Sequence, residues 1–216
     1  LTAETARDAV AAGVDLLTGG NHLFDKREGM DFIAAEPRVV RPANCPPSVP
    51  GETLGLLPTP AGPLAVGCVL GRIFMRPMDD PFRAVDALVD RAEAAGARHI
   101  LIDVHAEASS EKMALGWYLD GRVSAVVGTH THVPTADERV LEKGTSFITD
   151  VGMTGPYDSI IGMEKQAVIA HFLTGLHHRF KPAHGDVHLC GVVVDVDDST
   201  GKANSIRRVS RRLEEQ

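Results

Sequence analysis

The chain has 216 residues, 44% apolar and 24% charged, enough for a packed core and too apolar for a disordered polymer. Its 22 Lys and Arg against 29 Asp and Glu leave a formal charge of -7, which argues against gripping a nucleic-acid duplex or an anionic membrane. No apolar run approaches the ~18 residues of a spanning helix, and no apolar signal-peptide block opens the chain. Cys45, Cys68 and Cys190 show no CxxC spacing, so neither a disulfide framework nor a zinc finger is expected. The expectation is one domain over residues 1–216 in a reducing, cytoplasmic setting.

Helical and short apolar segments alternate, the pattern of an α/β fold with a largely parallel sheet. Residues 3–12 read as a helix stopped by Gly13. Residues 14–18 form a short strand that runs into Gly19-Gly20-Asn21-His22, where Gly-Gly-Asn suits a tight turn tolerating positive φ. A helix over 27–35 ends before Pro37, and the Pro- and Gly-rich stretch 42–63 reads as loop with one edge hairpin. A strand over 64–70 follows. Asp80-Pro81-Phe82 is an N-cap followed by Pro at the first helical position, and Phe82, Val85, Leu88, Val89 and Ala92 recur at helical spacing up to Gly96. A buried-type strand over 100–104 leads into His105. Ser109 or Ser110 caps a helix to Leu119, and a strand over 123–127 leads into Gly128-Thr129-His130-Thr131-His132. A strand near 146–149, a helix over 164–173 and a hairpin of 187–196 with 203–209 complete the chain.

Asn21-His22, His105 and His130-Thr131-His132 each follow the carboxyl end of a predicted strand. In open α/β sheets such loops gather at the edge where ligands bind. His130 and His132 share one side of an extended segment, their Cα atoms roughly 6.5–7 Å apart. That spacing suits two imidazoles on neighbouring metals ~3.5–4 Å apart, or on one ion. The donor types, imidazole and amide or carboxylate oxygen without thiolate, suit manganese, iron or zinc. For each His alone, a hydrogen-bonded loop residue is the plainer reading; the convergence of three loops favours metal. The segment Asp195-Val196-Asp197-Asp198-Ser199-Thr200-Gly201 has the look of a calcium loop, but Ile206 stands where a bidentate Glu is needed, so a polar hairpin turn is expected. Arg207, Arg208, Arg211 and Arg212 with Glu214 and Glu215 read as a solvated tail. Arg72 and Arg76 flank Phe74 and read as surface residues, with phosphate holding as the other option. There is no P-loop, GxGxxG, GxSxG or HExxH motif.

Leu17-Thr18-Gly19-Gly20-Asn21-His22, Asp103-Val104-His105-Ala106-Glu107-Ala108, Gly128-Thr129-His130-Thr131-His132-Val133 and Thr149-Asp150-Val151-Gly152-Met153-Thr154-Gly155-Pro156 occur in that order. Together they closely resemble the bacterial YmdB-like branch of the calcineurin-like metallophosphoesterases, and the resemblance continues through Glu111-Lys112 and Gly116-Trp117-Tyr118-Leu119-Asp120-Gly121. It implies an α/β fold, a β-sandwich flanked by helices in four α-β-β-α layers, with a dinuclear metal site at one edge. It implies hydrolysis of phosphodiesters such as cyclic nucleotides by a metal-bound hydroxide. Carried over by motif, Asn21, His105 and His130 would hold one metal and His132 the other, while His22 would bind no metal and would protonate the leaving oxygen or steady the phosphoryl group. Iron or manganese would be the metals, with zinc the other option.

The family pattern opens with a strand ending in Gly-Asp and a second ending in Asn-x-Glu-Asn, which supply an Asp, a bridging Glu and another Asn. This chain starts at Leu1, inside the pattern. The expectation is therefore a domain lacking its first β-α-β segment, with weakened metal affinity and turnover. An exposed edge on the shortened sheet would favour a homo-oligomer. Two other functions compete: a binding or regulatory module that has lost catalysis, and a single-zinc hydrolase using His105, His130 and His132.

Overall fold

The computed structural model describes residues 1–213. The chain opens with α1 (Ala3–Ala11), whose N-cap Thr2 exchanges hydrogen bonds with Thr5. The amides of Gly13 and Val14 then close the helix by donating to Val10 and Ala9. Those amides are spent on the helix end, so β1 is only Leu17–Thr18, shorter than the expected 14–18. A 3₁₀ turn (Arg27–Gly29) leads into α2 (Met30–Ala35) and then β2 (Val39–Val40), which pairs in parallel with β1.

β3 (Leu54–Thr59) and β4 (Gly62–Leu70) form the expected hairpin, with the second strand two residues longer than predicted. Asp80 caps α3 (Pro81–Ala94) by accepting the Phe82 amide at 2.8 Å. The helix buries Val85, Leu88, Val89 and Ala92, the stripe read from their spacing. β5 (His99–His105), α4 (Ser109–Tyr118) and β6 (Ala125–Thr129) follow, then β7 (Arg139–Val140) and β8 (Ser146–Ile148). Neither Ser109 nor Ser110 caps α4; Ala108 is its N-cap and no side chain serves there. Glu111, placed to reach back in a capping box, instead turns away and accepts the amides of Arg72 and Ile73. β6 starts two residues late because the Val123 carbonyl is taken by the Thr145 hydroxyl rather than by a neighbouring strand.

These strands make one six-stranded sheet in the order β3-β4-β5-β6-β8-β7. β4, β5, β6 and β8 run parallel, and the two edge strands are antiparallel. Its core packs Val69, Leu88, Ile102, Val104, Leu115, Val126 and Phe147, all buried, each contributing on the order of 1.5–3 kcal/mol. Parallel strands with both faces covered read as continuous apolar runs, which is why β4, β5 and β6 were legible.

The remaining elements are β9 (Gly155–Pro156), α5 (Lys165–Thr174), β10 (Val187–Val196) and β11 (Ala203–Arg212). β11 continues through Arg212, so the arginines expected in a solvated tail stand in a strand paired to β10. Glu138 holds Arg208 at 2.9 Å and Asp186 holds Arg212 at 2.7 Å. Glu214 and Glu215 lie outside the described residues. The segment with the look of a calcium loop is a polar turn: the Asp197 carboxylate accepts the amides of Ser199 and Thr200 at 3.1 and 2.8 Å.

β9 pairs with only Val187 and His188 of β10. Among the described residues, 189–196 therefore have β11 on one side and no strand on the other, and β1 likewise has β2 alone. A cavity of about 240 Å³ separates Val194 and Val196 of β10 from Leu64, Leu101 and Ala125 of the large sheet. His99 also lines it, and its buried Nε2 has no hydrogen-bond partner among the described residues. No helix of the described residues is long and apolar enough to cross a membrane. All three cysteines are free.

Candidate active site

Parallel register is what assembles the site. Leu70, His105 and Thr129 stand opposite one another at the carboxyl ends of β4, β5 and β6, so the loops that follow open at one edge. The loop after β1 reaches the same place. Its turn closes by a Leu23 amide donating to the Gly20 carbonyl at 3.1 Å. None of Gly19, Gly20 and Asn21 has a positive φ, so the glycines are not there for a left-handed turn. They are there for room. A Cβ on Gly20 would collide with the His105 imidazole, and one on Gly19 with Leu23.

Three of the expected site residues meet. Asn21 Oδ1 lies 2.8 Å from His105 Nε2, and His130 Nδ1 lies 3.1 Å from that same nitrogen. The far ring atoms decide which lone pairs face inward. Asp103 accepts the Thr129 hydroxyl at 2.8 Å and the Thr18 hydroxyl at 2.7 Å. With its proton given to Asp103, Thr129 Oγ1 accepts the N–H of His105 Nδ1 at 2.9 Å. Burial, reinforced by His130, pushes the His105 pKa down to about 3, so its ring is neutral and Nε2 carries a bare lone pair. On His130, Nε2 lies 3.2 Å from Glu107 Oε2, and burial lowers that ring's pKa too. An amide oxygen and two imidazole nitrogens thus converge at one point.

His130 and His132 both have left-handed backbone, φ 102 and φ 68, a conformation costing about 1–3 kcal/mol at a non-glycine residue unless its surroundings enforce it. Asp150 enforces it. Its Oδ2 accepts the Thr131 amide at 3.0 Å, the Thr131 hydroxyl at 2.8 Å and Lys112 Nζ at 2.8 Å. Its Oδ1 accepts the Gly152 amide at 2.9 Å. Both partners of the Lys112–Asp150 pair are 1% exposed. Asp150 lies just past the end of β8, as His105 stands at the end of β5, but no sequence pattern tied it to Lys112.

The other two expected residues stand outside this contact. His132 donates from Nδ1 to the Ile161 carbonyl at 2.9 Å. His22 is 78% exposed, and its Nδ1 lies 2.7 Å from Asp25 Oδ2, a bond that holds the Asp25 carboxyl below its usual range. Asp25, three residues on, is a partner the sequence reading missed. Among the described residues, no group of three or more His, Cys, Asp and Glu is placed to hold a metal ion. The cluster's third donor is instead the Asn21 amide.

A model of the YmdB-like protein family matches residues 1–209. A 2',3'-cyclic-nucleotide 2'-phosphodiesterase of Bacillus subtilis (strain 168) is 52% identical over 209 residues, covering 97% of this chain and 79% of the relative. A solved hypothetical protein from Thermus thermophilus superposes with a TM-score of 0.93 at 45% identity, over 99% of this chain and 82% of its own. A solved novel phosphatase of Mycoplasma pneumoniae gives 0.90 at 30% identity, over 98% and 77%. The expected calcineurin-like architecture, mixed α/β with sheets flanked by helices, therefore holds. With a family model spanning nearly its whole length and relatives this similar, the chain belongs to the YmdB-like family.

Proposed function

We propose that this chain is a metal-dependent phosphodiesterase acting on cyclic nucleotides. The observation that carries the reading is the convergence of Asn21, His105 and His130 on one point. Donors held ~2.0–2.2 Å from one divalent cation lie roughly 2.8–3.1 Å from each other at the right angles of an octahedral site, and the separations here are 2.8 and 3.1 Å. Asn21, His105 and His130 thus fit one divalent cation of the manganese, iron or zinc type. His132 offers a second ion only one ring nitrogen. A divalent cation held there would supply charge neutralisation at phosphoryl oxygens and a more acidic water.

The chain's own residues do the rest. The Thr18–Asp103–Thr129 network holds His105 in one tautomer and aims Nε2 inward. Asp150 holds the His130–His132 loop. His22 has no hydrogen bond from the cluster; Asp25 holds its ring through Nδ1 at 2.7 Å, which leaves Nε2 to give a proton to the leaving oxygen.

The open edges of β1 and β10, the cavity at His99 and the relatives' greater length support a further part of this reading. An additional strand-bearing segment of the domain would pair there and supply anionic ligands for a second ion. Left uncovered by such a segment, the open edge of β10 favours self-association.

Elemental analysis after equilibration with excess manganese is expected to find about one ion per chain, and none in His105→Ala. Hydrolysis of adenosine 2',3'-cyclic phosphate is expected to rise with manganese and stop on chelation. Turnover indifferent to both manganese and chelator would sink the reading.

A further inference from the structure

A second cavity opens beside Asn21, between the turn that follows β1 and the loop that follows β4. It measures about 130 Å³. Phe24, Leu70, Met75 and Met78 wall it, and Asp25 and Arg76 stand at its polar rim. Arg76 is close enough to help depress the Asp25 carboxyl.

The loop is built rather than loose. At its start Glu111, buried, accepts the Arg72 amide at 3.0 Å. Asn44, also buried, accepts the Leu70 amide at 2.8 Å and donates to the carbonyls of Leu70 and Asp79 at 2.8 and 3.0 Å. Between these ties Phe74 holds a left-handed φ of 60 while 89% exposed. Backbone strain of that kind persists only where surrounding structure imposes it, and it gathers at ligand clamps. The loop's first amide, Gly71, donates to the His105 carbonyl at 3.0 Å, and beyond that tie Met75, Arg76 and Met78 line the cavity.

Resting on the phosphodiesterase reading, we propose that this cavity is the subsite for the heterocyclic base of a nucleoside phosphodiester whose phosphoryl group lies at Asn21, His105 and His130. Whole small-molecule sites run to ~300–1,000 Å³, so a space this size takes one ring system and leaves ribose and phosphate outside it. Aromatic and thioether walls suit the two faces of a base. A carboxylate and a guanidinium at the rim suit its donor and acceptor edge. Asn21 belongs to both sites, so a molecule in the cavity is joined directly to the cradle.

Met75→Ala and Arg76→Ala alter the wall and the rim without touching the cradle. For each, the kcat/KM for adenosine 2',3'-cyclic phosphate is expected to fall about tenfold relative to that for the base-free methyl riboside 2',3'-cyclic phosphate, the change appearing in KM. Independently, adenosine is expected to bind the metal-free protein, detected by saturation-transfer NMR, and to lose that signal in Met75→Ala. An unchanged ratio between the two substrates, or no adenosine signal with the unaltered chain, overturns the proposal. Failure to hydrolyse either substrate counts against the phosphodiesterase reading alone, since adenosine binding to the metal-free chain still decides the cavity.

Discussion

His22→Ala is expected to lower turnover of adenosine 2',3'-cyclic phosphate by about 100- to 10,000-fold, the range of a lost general acid, while manganese content stays as it was. The expectation follows from where His22 stands. Its side chain makes no hydrogen bond to Asn21, His105 or His130 among the described residues, so removing it leaves the cradle's donors in place. It is exposed, its Nδ1 is committed to Asp25 at 2.7 Å, and Nε2 is left facing outward. An alkoxide leaving group needs a proton as the bond to phosphorus breaks; a 4-nitrophenolate leaving group does not. The loss in His22→Ala is therefore expected to shrink sharply with a 4-nitrophenyl phosphodiester. Equal losses on both substrates would assign His22 to binding the phosphoryl group, and loss of manganese would make it a ligand. Asp25→Asn, which keeps the shape and removes the charge, is expected to show the same leaving-group dependence at smaller amplitude.

Lys112→Met is expected to destabilise the protein by about 3–5 kcal/mol, the cost of leaving one member of a buried ion pair without its partner. A typical domain has only about 5–15 kcal/mol in all, so the variant stands near unfolding at room temperature. Lys112 and Asp150 are both 1% exposed, and their 2.8 Å contact lies beneath the His130–His132 loop. Without the ammonium, the Asp150 carboxylate keeps only the bonds from Thr131 and Gly152 and remains buried as a charge. Adding Asp150→Asn removes that charge. The double variant is therefore expected to be more stable than the sum of the two single changes, by a coupling of about 0.5–3 kcal/mol. Urea unfolding of the four proteins measures it. A Lys112→Met cost below about 1 kcal/mol, or strict additivity, would show that the pair does not brace this loop.

Much of this architecture was legible from local pattern. The Asp80-Pro81 cap, the Val85–Leu88–Val89–Ala92 stripe and the apolar runs of β4, β5 and β6 all report neighbours a few residues away, and each appeared within two residues of where its pattern placed it. The departures came where a distant group competed. The Glu111 carboxylate went to the amides of Arg72 and Ile73 instead of its own helix end, and the Thr145 hydroxyl took the Val123 carbonyl from the sheet. The arginine-rich end looked like a tail because charge marks solvent exposure, and an edge strand meets that condition while still pairing. At the site, the motifs located Asn21, His105 and His130 at one edge. They were silent about the groups that orient those side chains. Asp25 was within reach, three residues from His22, but a histidine and a nearby carboxylate are too common in turns to signify a pair.

Residue order was enough to establish an α/β chain with strand-end loops bearing an amide and imidazoles, because period, caps and turn residues act over one or two turns of chain. Which lone pairs face inward, and which backbone is held left-handed, was settled by packing in three dimensions. Those depend on contacts such as Thr18 to Asp103, 85 residues apart, and Lys112 to Asp150, 38 apart. A hydrogen bond that closes across such a span leaves no periodic trace, since any of many polar residues could have closed it until packing brought one of them within about 3 Å.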